Sequence, residues 1–213
     1  MGVKRGGAVR RGPYSVWTVR CVRLNKSVEL PDRLHALLVN KLDTDPDIVS
    51  FSLGGPRYRY IVGGREKETE VTAVATTASG CTVHMDTTWS TSCVPTRPDE
   101  LVKQAHAEQG GFTYQLFSRS VFDANHIELK NRLSTQTLLY QAREFNSEQL
   151  ETLFLLRLAE GPTTLDSLMR GSAVTFAQAC VGVLRLWLRR RARVPLTTQL
   201  LQPAWLVEGM GNA

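Results

Sequence analysis

KETEVTAVATTASGCTVHMDTT, residues 67–88, is the stretch on which the fold of this chain turns. Two β-rich runs flank a turn at Ala78-Ser79-Gly80, the pattern of two neighbouring strands. Side chains alternate across a strand, so residues two apart share a face. Asp86 and Thr88 therefore share a face of the second strand, while Glu70 or Thr72 belongs to the first. Cys81 and His84 are three apart, a spacing zinc sites use, but no second ligand pair follows and a strand would point them to opposite faces. They read as structural residues.

Working outward, Tyr14 to Leu24 mixes aromatic and β-branched residues with arginines and reads as a strand or extended arm. Pro31 suits a first helical turn, and Leu34, Leu37, Leu38 and Leu42 have helical spacing. Thr44-Asp45-Pro46-Asp47 stops that helix. Ile48–Leu53 and Tyr58–Val62 read as strands, with Gly63-Gly64 as the next turn. Residues 89–98 are loop-like, Asp99–Glu108 an amphipathic helix, Phe112–Ser118 a strand, and Val121–Tyr140 mainly helix with Ile127, Leu129 and Leu133 as its apolar positions. This order gives an α/β core with a mixed sheet.

The pattern changes near Asn146. Ser147–Glu160 is a strong helix with Ser147 as its cap and Leu150, Leu153, Phe154 and Leu158 as its core stripe. A short second helix runs through Leu168 and Met169. A third spans Thr175–Arg191, with Ala179, Val183, Leu184 and Trp187 inward. Residues from Pro195 onward are expected to form a hairpin, completing a winged helix. The division is thus a basic arm at 1–26, an α/β domain at 27–146 and a winged-helix domain at 147–213.

The 213 residues are 42% hydrophobic and 22% charged, ordinary for a globular protein, and no apolar run approaches a membrane helix. No secretory signal is visible, so a cytoplasmic protein with reduced thiols is expected. The net charge of +6 is unevenly placed. Residues 1–26 carry Lys4, Arg5, Arg10, Arg11, Arg20, Arg23 and Lys26 and no acid, and a second cluster holds Arg185, Arg189, Arg190, Arg191 and Arg193. Clustered basic charge favours an anionic partner, above all DNA. On helical spacing Arg185, Arg189 and Arg193 fall near one face, with Arg190 and Arg191 beside it. A winged helix commonly offers its third helix to the major groove, base contacts coming from its start, here Thr175, Phe176 and Gln178. The same arginine run also reads as a solvated complement to a helix C-terminus.

In this order the elements resemble the TnsA-type endonuclease subunits of heteromeric transposases, from about Asp32 to Val207. The matching pieces are DTDPDIVSF (43–51), DELVKQAHAEQGGFTYQLFS (99–118), a helix containing Asn131, ETLFLLRLAEGPTTLDSLM (151–169) with a basic last helix, and LLQPAWLV (200–207). The resemblance implies a restriction-endonuclease-like PD-(D/E)XK core followed by a winged helix, cutting one strand at a transposon end with magnesium. It also implies a DDE-type transposase and an AAA+ regulator as partners. In that core one acid sits near the first strand and an acid-x-Lys on the second, where the carboxylates hold the metal and the lysine polarises the attacking water. Here the first acid falls at Glu70 to Thr72, the second at Asp86 and the lysine at Thr88. The family's helical glutamate falls in Arg33-Leu34-His35-Ala36, with Glu29 too early. Glu70 and Asp86 also read as ordinary strand-edge polar residues.

The expectation is a DNA-binding protein without catalytic residues or a metal site of its own, holding magnesium weakly if at all. It would serve as an architectural or adaptor subunit of a transposition or mobile-element complex. Two alternatives follow from the same residues: a magnesium-dependent nuclease with a relocated active site, and a winged-helix transcriptional regulator.

Overall fold

A hairpin opens the computed structural model, which describes residues 16–210. β1 (Trp17–Cys21) and β2 (Lys26–Leu30) pair antiparallel, with Trp17 opposite Leu30. The turn carries Asn25 at φ 49°, in the left-handed region that asparagine tolerates. The boundary expected at residue 26 therefore falls inside a hairpin. Arg20 and Arg23 belong to folded structure, while Lys4, Arg5, Arg10, Arg11 and Tyr14 lie outside the described residues.

α1 (Arg33–Asp43) starts at Asp32, whose carboxylate accepts from His35 N at 3.0 Å. Leu34, Leu37, Leu38 and Leu42 are buried, as their spacing predicted. β3 (Ile48–Leu53) follows. β4 (Arg57–Val62) and β5 (Arg65–Glu70) then form a separate two-stranded ribbon. Its two-residue tip, Gly63-Gly64, needs φ of 59° and 73°, which glycine adopts without a Cβ penalty. β6 (Ala73–Thr77) and β7 (Thr82–Thr88) are the strand pair around Gly80. The first β-rich run, from Lys67 to the turn at Ala78, is thus two strands in two sheets, because β5 pairs with β4 and β6 with β3 and β7.

α2 (Pro98–Gln109) crosses over to β8 (Thr113–Ser118), which lies parallel to β7. The sheet order is β3-β6-β7-β8, antiparallel except for its last pair, so the sheet is mixed. α3 (Arg119–Asp123) and α4 (His126–Gln141) complete this half. The first apolar core joins Leu38 and Leu42 of α1 to Phe51, Ala75, Val83 and Met85 of the sheet, with Cys21 and Val28 of the hairpin beside them.

The second core is built by α5 (Glu148–Ala159), β9 (Thr163–Thr164), α6 (Leu165–Met169), α7 (Phe176–Leu188), β10 (Ala192–Arg193) and β11 (Leu206–Gly209). Its three strands run in the order β10-β11-β9, all antiparallel. Gly182 lets α5 close on α7, since a Cβ there would meet Leu150 Cδ2 at 3.2 Å. Ser147 does not cap α5 with its side chain. Its hydroxyl donates instead to the buried Glu151. α7 stops at Leu188, three residues before the expected end, and Arg190 takes φ 58° beyond it. The final strand pair joins 192–193, which precede Pro195, to 206–209, so the hairpin does not lie wholly after Pro195.

α4 belongs to both cores. Leu139 packs in the second, while Gln136 Oε1 accepts from Asn40 Nδ2 of α1 at 2.8 Å. Asn131 reaches Leu196 O and Gln199 O at 2.7 Å each and accepts from Leu201 N at 3.0 Å. The buried face of α4 is Asn131, Thr135, Gln136 and Leu139, whereas Leu133, expected to be apolar core, is 44% exposed. Among the described residues no helix is long and apolar enough to cross a membrane.

Candidate catalytic position and basic surface

The alternation of β7 is as the sequence implies. Val83 and Met85 enter the first core, while His84, Asp86 and Thr88 are buried on the opposite face, where α2 supplies Lys103 and β8 supplies Tyr114. Asp86 is 3% exposed and its carboxylate is fully occupied. Oδ1 accepts from Thr72 N at 2.8 Å and from Thr72 Oγ1 at 2.5 Å. Oδ2 accepts from Lys103 Nζ at 2.7 Å and Tyr114 OH at 3.0 Å. Burial first, and the Asp86 charge second, push the Tyr114 phenol far above its ordinary value, so it stays a proton donor here.

Lys103 is the residue that sequence reasoning missed. It comes from α2, not from the strand, and both partners of the pair are buried. The signal was faint: Glu100, Lys103 and Ala107 form the buried stripe of α2 at helical spacing, but two of the three are charged. Leu101, the apolar residue nearby, is 48% exposed.

Thr72, in the bend between β5 and β6, and not Glu70, meets Asp86. Glu70 sits at the end of the separate ribbon, half exposed, and pairs with Arg57 at 2.8 Å. Thr88, at the expected lysine position, stands beside Glu100. Burial pushes the Glu100 carboxyl up, but the N–H groups of Thr96 and Arg97, the Arg97 guanidinium and Thr88 together hold it below its ordinary value. Among the described residues no three His, Cys, Asp or Glu side chains gather to hold a metal. Cys81 is exposed and His84 buried, so the two do not form a pair. The His84 ring lies 4.9 Å from Phe112 with Nδ1 unpartnered. Burial lowers its pKa, against a smaller opposing effect of Asp86.

The arginines divide into three groups. Arg23 and Arg185 act as internal clamps. Arg23 donates to Asp43 O, Asp45 O and Val49 O, and its backbone N–H reaches Asp43 Oδ1. Arg185 donates to Ala142 O, Phe145 O and Ser147 Oγ, fastening the end of α4 to the start of α5. Arg189 and Arg190 are exposed but paired, the first with Glu151 and the second with Asp47 at 3.7 Å. Arg20, Arg191 and Arg193 are exposed. Arg191 and Arg193 have no side-chain hydrogen bond or ion pair among the described residues, and Arg20 lies over the Tyr140 ring at 5.5 Å.

The shared face expected for Arg185, Arg189 and Arg193 does not form, because α7 ends before Arg189 and Arg193 lies on β10. Nor does α7 present a free long face. Residues 179–184, 186 and 187 are buried under α4, α5 and α6. Only its first turn is open, and there Thr175 and Gln178 cap the helix reciprocally.

No protein-family model matches this chain, and no curated protein matches it.

Proposed function

We propose that this protein is a DNA-binding, non-catalytic relative of the TnsA-type endonuclease subunits, acting as an architectural or adaptor subunit of a DNA-processing complex. The observation that carries the reading is the state of Asp86. It occupies the place where a restriction-endonuclease-like core keeps its second acid, yet four donors saturate it and an internal ammonium neutralises it. A magnesium ion needs one or two carboxylates with free lone pairs. Here the companion position is Thr72, and Glu100 serves as a helix cap. The order α1, strands, α2, β8 supports the nuclease-like core. Helix, strand, two helices and two strands, with β11 between β9 and β10, support a C-terminal winged helix.

DNA binding rests on the exposed Arg20, Arg191 and Arg193 together with Lys4, Arg5, Arg10 and Arg11 of the arm. Such contacts give affinity and salt sensitivity rather than sequence choice. The burial of α7 argues against a regulator that reads an operator through its third helix. A transposase or AAA+ partner belongs to the proposal through the family resemblance alone.

The test is plasmid nicking with magnesium and with manganese, beside a mobility shift on the same DNA over a range of salt. No nicking with salt-sensitive binding is expected. A second reading is favoured by one observation, the lysine standing 2.7 Å from the acid. If Lys103 is a relocated catalytic lysine, wild type nicks DNA and Lys103→Met does not. That result would overturn the non-catalytic reading.

A further inference from the structure

A cavity of about 560 Å³ opens between β1, α1 and α4, away from the Asp86 cluster. Its size suits a small organic ligand rather than an ion. Trp17 and Leu133 stand at its rim, 42% and 44% exposed. Arg20 and Arg33 also line it, both exposed, and among the described residues no acidic side chain does. Its walls are apolar, from Val19, Ala36, Leu37 and Leu129, and its floor carries the amides of Asn40 and Gln136.

The floor has a fixed polarity. Asp43 Oδ2 accepts from Gln136 Nε2 at 2.9 Å, which turns Gln136 Oε1 toward Asn40 Nδ2. Asn40 Nδ2 also donates to Arg132 O at 3.3 Å. A carboxylate can only accept here, so neither amide can flip without setting acceptor against acceptor. Asn40 Oδ1 is left as a buried acceptor with no donor. Leaving such a group unsatisfied is costly, but this one lies sealed beneath the cavity surface, out of a ligand's reach.

From this geometry we infer that the cavity is a nucleotide-binding site. The ligand class combines a flat base with a phosphate. The base enters between the apolar walls and stacks on Trp17, while Arg20 and Arg33 take the phosphate. Aromatic stacking with guanidinium contacts is how unpaired bases are held without duplex geometry. The chemistry is shared by a free mononucleotide and by an unpaired nucleotide of a strand.

The test uses adenosine monophosphate, a dA12 oligonucleotide and inorganic phosphate as probes, read by calorimetry and by anisotropy of labelled dA12. The proteins are wild type, Trp17→Ala, and Leu133→Glu, which places a negative charge at an exposed helix position. Near-ultraviolet circular dichroism checks their folds. The expected result is binding of adenosine monophosphate or dA12 to wild type, weakened about tenfold or more in each variant, with phosphate alone unable to compete. Equal affinity for the two nucleotide probes assigns the site to free nucleotide, and a large preference for dA12 assigns it to strand. Absence of binding, equal binding in folded variants, or full competition by phosphate overturns the inference. Duplex binding in the mobility shift is a separate readout, so the DNA-binding reading and this one fail independently.

Discussion

Asp86 and Lys103 form an ion pair whose value lies in being complete. Removing one charge from a buried pair strands the other, at a cost of about 3–5 kcal/mol. Lys103→Met should lower stability by that amount in urea denaturation. The Asp86→Leu/Lys103→Met double variant should lose less, because no charge is stranded. A double variant as unstable as the sum of the singles would mean that the two residues act independently. His84 gives a pH test. Its folded pKa lies below the ordinary 6.5, so the unfolded chain binds the extra proton first. Its contribution is complete above 6.5 and is lost as pH falls from there through the lowered value. His84→Gln should flatten the pH dependence of the urea midpoint in that window; an unchanged slope would assign it to other groups. At this scale the sequence told much about strand faces and little about partners. The shared face of Asp86 and Thr88 follows from a period of two. The arrival of Lys103 depends on how α2 packs across the sheet, which local spacing does not encode.

Elements were legible wherever periodicity and turn chemistry agreed. Leu34 to Leu42, ended at Thr44, gave α1, although Pro31, expected in its first turn, lies before the Asp32 cap, and Gly63-Gly64 marked its turn. The β1 strand falls within the extended segment expected at Tyr14–Leu24, but its partner β2 was missed because KSVEL is five residues with a charge near each end and no glycine before it. The end of α7 was misplaced because arginines favour helix by propensity, while here Arg190 leaves the helical region to send the chain into β10. Charge runs mislead in the same way, since a sequence cannot separate a guanidinium facing solvent from one facing carbonyls. The separation is testable. Arg185→Ala should cost about 2–3 kcal/mol of stability, as three acceptors lose a charged donor, without changing the salt slope of DNA binding. Arg191→Ala should leave stability within about 0.5 kcal/mol but lower that slope by roughly 0.9, the share of one phosphate contact. The reverse pattern would move the DNA contact onto the Arg185 region.

Over the whole molecule, α4 decides how the two cores relate. Its buried amides face α1 on one side and the 196–201 segment on the other. A boundary at residue 146 reads well in sequence because the polar residues of α4 look like a surface face. Their burial makes the helix a common wall. Asn131→Leu removes the bonds to Leu196, Gln199 and Leu201, and is expected to cost about 2–4 kcal/mol. It should also split one denaturation transition into two, followed by circular dichroism and tryptophan fluorescence. Coincident curves in the variant would place the coupling elsewhere.

The cysteines give this chain a clock it did not need for its chemistry. Cys81 and Cys93 are exposed, but Cys21 lies in the first core and Cys180 in the second. Burial pushes both inner thiols up to about 12, with Asp43 adding to the effect on Cys21. Only the thiolate reacts with an alkylating reagent, so the inner pair stays silent until its surroundings open. In a labelling time course resolved by mass spectrometry, two adducts should appear at once and the next two later. If the cores open as one, the third and fourth adducts arrive together. In Asn131→Leu they should separate, each dating the opening of its own half.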